Sequence, residues 1–388
     1  MSNKPKDTEA IDAASSAKLL PSLSVDQEQV QRSYNVLPYG PAIGLINDVL
    51  KAGTPEALAL LEERHPRITH GAETSVMVSG GKIKIYRKTN NTEMTLQFPD
   101  FTTLMSGSNK PAKKILFFIL QEANRQGIIS RSGALIHDVL MFPLKKLVEC
   151  GMYADMKGAR RGFDSAIDGL KGDIQGLFKH KGKERTSTGK ASMTLFPTIS
   201  REDGNCIIRF NPDANWEVIA PYYTIIPTFA FKLNNRAFDL LIYICVQARM
   251  RTDEISNQGN YSLTLRSVQY ALNLPDETKT KNPKIEIKQP IRDAVDEIMR
   301  ENALARNEGN FSLSLVPEGI ESKKIGHYLN EGKLLITMQG AYHKYFEELF
   351  KTKAKIIDDK KQRTERIIEQ AQIRALEKSM ENEPKGDT

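Results

Sequence analysis

Apolar positions along the chain follow two kinds of spacing, helical and alternating, and the order in which the two kinds succeed one another occurs twice. In "SNKPAKKILFFILQEANRQG", Ile115, Phe118 and Ile119 fall at helical intervals behind Ser108 or Asn109, either of which can cap. "LIHDVLMF" then reads as a short strand, and "PLKKLVECG" as a short helix opened by Pro143 and stopped by Gly151. In "GMYADMKGARRGFDSAIDGLK", Ala159, Phe163, Ala166, Ile167 and Leu170 share one helical face, and Lys157, Arg161, Asp164, Ser165 and Asp168 share the other. A short helix, a glycine-containing turn and a longer amphipathic helix are the sequence form of a helix-turn-helix. "ASMTLFPTI" and "NCIIRF", joined across the Asp-Gly turn of "SREDG", predict a hairpin directly behind it. Helix, helix-turn-helix and hairpin together predict a winged helix.

From Tyr222 the same order returns without obvious residue identity. "NNRAFDLLIYICVQARM" predicts a helix that buries Phe238, Leu241, Ile242 and Cys245, and "TLRSVQYALNLP" a short helix capped by Thr264 and ended by Pro275. The loop "KTKNPKIEIKQ" leads into "PIRDAVDEIMREN", with Ile291, Ala294, Val295 and Ile298 on one face and Asp293, Asp296, Glu297 and Arg300 on the outer one. "FSLSLV" and "KLLITM" read as strands on either side of a long loop, Pro317 to Gly332. An order of elements duplicated at about 120 residues is the most informative pattern in the sequence.

The flanks differ from these units. Residues 1–38 are polar and aperiodic and predict a disordered arm. Two short helices, "GPAIGLINDVLKAG" and "TPEALALLEERHP", and three strands, "TSVMVS", "KIKIYRK" and "EMTLQF", predict an N-terminal segment of helices and β-meander over 39–100. Residues 101–220 and 221–340 form the predicted first and second winged-helix domains, and 341–388 a charged C-terminal helix with Tyr345, Phe346, Leu349 and Phe350 as a docking stripe. Beyond that stripe the helix reads either as a solvated, fraying end or as a protein-binding or oligomerisation helix. The predicted fold class is α+β, two tandem winged-helix domains with these N- and C-terminal additions.

Composition narrows the function. The 388 residues are 40% hydrophobic and 27% charged, with no apolar run of about 18 residues and no apolar signal segment, so a cytoplasmic protein is expected. Cys150, Cys206 and Cys245 lack paired spacing and predict buried reduced thiols. No Gly-Lys pair has the upstream glycine and following Ser/Thr of a phosphate-binding loop. The six histidines stand apart, with no metal-ligand spacing, and neither a nucleophile elbow nor a paired-carboxylate motif occurs. A non-enzymatic protein without cofactor or metal is the expectation. Net charge is +7, which suits a polyanionic partner.

The basic residues gain meaning from position. Lys157, Arg160 and Arg161 sit at the N-terminal end of the second helix of the helix-turn-helix, the end that enters a major groove in such motifs, with Ser165 on the same face. "FKHKGKER" adds Lys179, Lys181, Lys183 and Arg185 as a phosphate-facing cluster ahead of the hairpin. In the second unit, Lys281, Lys284 and Lys288 precede the longer helix, Arg292 lies in its first turn, and Lys323 and Lys324 occupy the wing. The same residues read alternatively as a solvated charged face, and Asp164 and Asp168 would repel phosphate. Gly158 and Gly162 make sense if something approaches the helix closely, DNA backbone or a packed neighbouring helix.

Three stretches carry a resemblance: "MTLQFPDFTTLMSGSNKPAKKILFFILQEA", "FPLKKLVECGMYADMKGARRGFDSAIDGLKG" and "IIPTFAFKLNNRAFDLLIYICVQAR". Over about residues 93 to 345 the chain resembles plasmid replication initiators built from two tandem winged helices, of the kind common on mobile elements of Firmicutes. The resemblance implies sequence-specific binding to repeated origin sites in double-stranded DNA, local strand opening, recruitment of a host initiator and replicative helicase, dimerisation and self-repression. It matches Lys157, Arg160 and Arg161 to the first recognition helix, and Lys288 and Arg292 to the start of the second. A dimeric winged-helix transcriptional repressor is the alternative, and a protein-interaction module without DNA binding a third.

Overall fold

A computed structural model describes residues 34–40, 43, 44, 47, 73–79, 82–88, 92–98, 110–130, 133–170, 174–181, 186–193, 195–214, 216–220, 222–305, 311–340 and 342–351. Helices and strands are mixed along the chain, an α+β arrangement. Among the described residues no helix is long and apolar enough to cross a membrane.

β1 (Tyr34–Tyr39) falls inside the arm predicted to be disordered up to residue 38. Its six residues contain a proline and too few alternations to announce a strand without the partner described below. Of the two helices predicted between Gly40 and Pro66, Ile43, Gly44 and Asn47 are helical and the rest lies outside the described residues. The three meander strands are present as β2 (Glu73–Ser79), β3 (Lys82–Lys88) and β4 (Thr92–Phe98).

The first unit opens with α1 (Lys110–Arg125), followed by β5 (Val139–Pro143), α2 (Lys146–Glu149) and α3 (Met156–Leu170). The chain then departs from expectation. It forms β6 (Ile174–Lys181) and β7 (Thr186–Met193), and β6 pairs with β4, so that five antiparallel strands stand in the order β2-β3-β4-β6-β7. An edge strand offers unpaired N–H and C=O groups, and the inserted hairpin satisfies those of β4. The meander therefore supplies three strands of a five-stranded sheet completed from within the first unit. The hairpin of the unit itself comes later, β8 (Thr198–Glu202) and β9 (Asn205–Arg209), turning through Asp203 and Gly204 at φ 47° and 79°. "ASMTLFPTI", expected as one strand, is split between β7 and β8. α4 (Trp216–Ile219) closes the unit, with the Trp216 ring 5.1 Å from that of Phe210. β10 (Tyr222–Pro227) then pairs antiparallel with β1, Tyr39 opposite Tyr222.

The second unit runs through α5 (Asn235–Met250), α6 (Thr252–Gln258), β11 (Asn260–Thr264) and α7 (Leu265–Ala271). A π-helical turn, Lys284–Lys288, then leads without a break into α8 (Gln289–Leu304). β12 (Phe311–Val316), α9 (Ile325–Glu331) and β13 (Lys333–Met338) complete it. Two expectations change here: β11 adds a short strand that the cap signal at Thr264 overshadowed, and the long loop between the last two strands contains α9. The Asn234 side chain caps α5 by accepting from the amides of Arg236 and Ala237, and that of Thr264 caps α7 by accepting from Ser267.

The two units share one sheet order. In the first it is β5-β9-β8 and in the second β11-β13-β12, all antiparallel, each with the strand that precedes the paired helices bonded to the last strand. α1 lies against α3 as α5 lies against α8. The cores meet between α1 and α5, where Phe117 stands 5.7 Å from Phe238 and 6.4 Å from Tyr39, and Phe118 5.5 Å from Phe231. Polar groups cross the same boundary. Lys113 Nζ is 2.5 Å from Asp239 Oδ1, and Lys114 donates to the Phe231 and Leu233 carbonyls, with burial, aided by Lys113, pushing its ammonium down to about 8. A final helix over 342–351 docks through Tyr342 and Phe346, both buried, while Tyr345 and Leu349 pack at the core margin. The remainder of the predicted C-terminal helix lies outside the described residues.

Candidate nucleic-acid interface

The start of α3 is fixed by Asp155, whose Oδ1 accepts from the Gly158 amide at 2.6 Å, an acidic cap at the positive end of the helix dipole. Ala159, Phe163 and Ala166 are fully buried, with Phe163 edge-on to Phe142 at 6.4 Å. That burial turns Lys157, Arg160 and Arg161 outward. All three are exposed, and none has a hydrogen-bond or ion-pair partner among the described residues. Ser165 sits half-buried one turn further on.

The glycines of this helix answer to a side chain within the protein. A Cβ on Gly162 would fall 2.1 Å from Tyr153 Oη, so the tyrosine of the preceding turn lies across the helix where the glycine leaves room. Burial pushes the Tyr153 hydroxyl up to about 12. Asp164 is also accounted for: Arg201 of β8 donates to both of its oxygens at 3.0 Å, so the acid expected to repel phosphate carries a matched cation and joins α3 to the hairpin. Sequence reading missed Arg201 because the two partners are far apart in the chain and no local pattern couples them.

The cluster in "FKHKGKER", expected to face phosphates ahead of the hairpin, falls partly on a strand. Lys179 and Lys181 lie on β6, opposite Thr188 and Thr186 of β7, inside the five-stranded sheet. Lys183 and Arg185 lie outside the described residues.

In the second unit the helix begins earlier than predicted. The loop expected over "KTKNPKIEIKQ" is drawn into the π-helical turn, and the Asn282 amide donates to Glu286 Oε1 at 3.0 Å to close it. Lys281, just before this turn, and Lys284, its first residue, are exposed. Lys288 is turned inward: its ammonium donates to the Glu321 carbonyl at 2.8 Å and to that of Lys323, and stands 4.9 Å from the Tyr328 ring centroid. Burial lowers its pKa, as a cation held against a partly apolar surface requires. Arg292 is exposed but lies 3.6 Å from Asp296 and 3.9 Å from Glu321. Glu297, expected on the outer face, instead accepts from the amide and side chain of Asn234 at the start of α5. Lys323 and Lys324 are exposed in the short connection before α9.

The arrangement therefore offers two basic helix starts of unequal character. One presents Lys157, Arg160 and Arg161 unengaged. The other presents Lys281 and Lys284, with Lys288 committed to the fold and Arg292 shared with two carboxylates. No protein-family model matches the sequence, and no curated protein matches it significantly.

Proposed function

We propose that the chain is a sequence-specific, double-stranded-DNA-binding protein that initiates replication of a plasmid or related mobile element. Each repeated unit is read as a winged helix, and α3 and the start of α8 as the two groove-reading elements. The observation that carries the reading is one sheet order occurring twice, each time behind a helix whose exposed start is basic. In helix-turn-helix docking the N-terminal residues of the second helix reach base edges, and Lys157, Arg160 and Arg161 stand at that end. Arginine pairs bidentately with guanine O6 and N7, and lysines neutralise phosphates. Asp164, paired with Arg201, presents little net charge to the backbone. Lys281 and Lys284 supply the counterpart in the second unit, and Lys323 and Lys324 flank an adjacent groove.

The replication role follows from the resemblance to tandem winged-helix initiators, with repeated origin sites as target and a host initiator and replicative helicase as partners. The test is a vector without its own origin that carries this gene and its flanking DNA. It should replicate autonomously, and deleting direct repeats from the flank should abolish replication. Dimeric binding to an inverted repeat without replication identifies the repressor instead. Absence of any salt-dependent DNA binding refutes the nucleic-acid reading.

A further inference from the structure

Large apolar side chains that stand exposed are few among the described residues, and two of them lie in the opening turns of the two basic helices. Met156, 40% exposed, opens α3, and Ile285, 63% exposed, lies in the π-helical turn that opens α8. Each adjoins an exposed lysine, Lys157 or Lys284. Neither is needed by the core, which is filled from the same turns by Ala159 and Ile287, both fully buried. Both are held in ordered turns: the Asp155 cap fixes the start of α3, and bonds from Ile285 N to Asn282 O at 3.1 Å and from Asn282 N to Glu286 Oε1 fix the other. π-Helical turns are rare and concentrate at functional positions.

We infer that Met156 and Ile285 read thymine, each packing on a 5-methyl group in the major groove. This rests on the DNA-binding reading above and adds a base preference to it. The thymine methyl is the apolar feature of the major-groove edge, and an apolar side chain that abuts it is shielded from water only when the groove is occupied. The surroundings favour a nucleic acid over a protein partner. A docking protein calls for a contiguous apolar patch, whereas each of these side chains has polar neighbours along the chain: Lys157 and Arg160 follow one and Lys281 and Lys284 precede the other, while the adjacent acids, Asp155 and Glu286, are already engaged by the amides of Gly158 and Asn282. Those cations engage the phosphates on either side while the apolar tip meets the base.

The experiment uses the full chain and a duplex selected from a randomised pool. Each thymine is replaced in turn by deoxyuridine, which removes the methyl and nothing else, and binding is measured for the wild type, Met156→Ala and Ile285→Ala. Particular thymines should prove sensitive, with about four-fold weaker binding on losing the methyl. At a thymine read by Ile285, the Ile285→Ala variant should show the same loss with no further weakening by deoxyuridine, and Met156→Ala should behave likewise at its own thymine. Losses from deoxyuridine and alanine that multiply, or no sensitive thymine, overturn the inference while leaving DNA binding intact. If no duplex is selected, the DNA-binding reading fails first and the inference with it.

Discussion

The two basic helix starts differ in how many of their cations are committed to the fold and how many are left exposed and unengaged. At α3 the cations are unengaged, and Asp164 on the same helix is matched by Arg201 from the hairpin. At α8 Lys288 anchors the turn to the Glu321 and Lys323 carbonyls, and Arg292 is shared between Asp296 and Glu321. A cation already satisfied inside the protein must lose those partners before it can meet a phosphate, so the first unit should contribute more to affinity than the second. A similar asymmetry lies within the cores. The thirteenth residue of α1, Glu122, is a buried carboxylate held by Arg125, Gln126 and Lys146, whereas the thirteenth of α5 is the buried neutral Gln247.

The sharpest way to break the comparison is Arg160→Ala with Arg161→Ala. Specific affinity should fall about 30-fold or more in a binding titration at moderate salt, since each bidentate base contact is worth about 1 to 3 kcal/mol. Lys281→Ala with Lys284→Ala should cost less and act alike on all sequences, lowering the slope of log K against log salt by about 2. An equal or larger effect from the second pair reverses the ranking of the two units.

Acid should separate the cores. Burial pushes the Glu122 carboxyl upward, but hydrogen bonds from Arg125, Lys146 and Gln126 outweigh it and hold the group near about 2. A carboxylate with a lowered folded pKa stabilises the fold above the unfolded value and loses that contribution as pH falls. The Glu122 share should therefore disappear between pH 4.5 and about 2. Glu122→Gln should lower stability at neutral pH by roughly 2 kcal/mol in a denaturant titration and flatten that part of the acid profile. Lys288→Met should cost about 1 to 2 kcal/mol of stability while leaving DNA affinity nearly unchanged, which would mark it as a folding residue. The smallest effect belongs to Arg201→Ala. It exposes Asp164 to the backbone and should weaken binding by no more than about three-fold, with the loss vanishing at high salt.

What the sequence made legible follows from range. α1, α3 and α5 could be read because each buries a stripe at helical spacing, and the Thr264 cap because it acts on an amide three residues away. The three meander strands were legible from their alternation. β6 and β7 were not, because "TSTGKASM" alternates weakly and its place depends on the open edge of β4, far back in the chain. β1 was hidden for the same reason, its partner β10 lying beyond the whole first unit. At the candidate site, the outward direction of Lys157 and Arg161 followed from the wheel, and Arg160 was picked out by its place at the helix start. The inward turn of Lys288, the Glu297 cap on Asn234 and the Asp164–Arg201 pair did not, since each depends on a partner brought near only by the fold. Gly158 and Gly162 were singled out for a close approach by DNA or a neighbouring helix; the close approach is at Gly162 and comes from Tyr153 of the preceding turn.

The central claim is that both units read one duplex through their helix starts, the first more strongly. A hydroxyl-radical footprint of the full chain on its selected duplex, compared with that of the Arg160→Ala, Arg161→Ala variant, tests it most directly. Two protected segments that face the protein in the major groove are expected, with the variant losing one and keeping the other. A single protected segment, or a variant footprint unchanged from that of the wild type, would contradict the account.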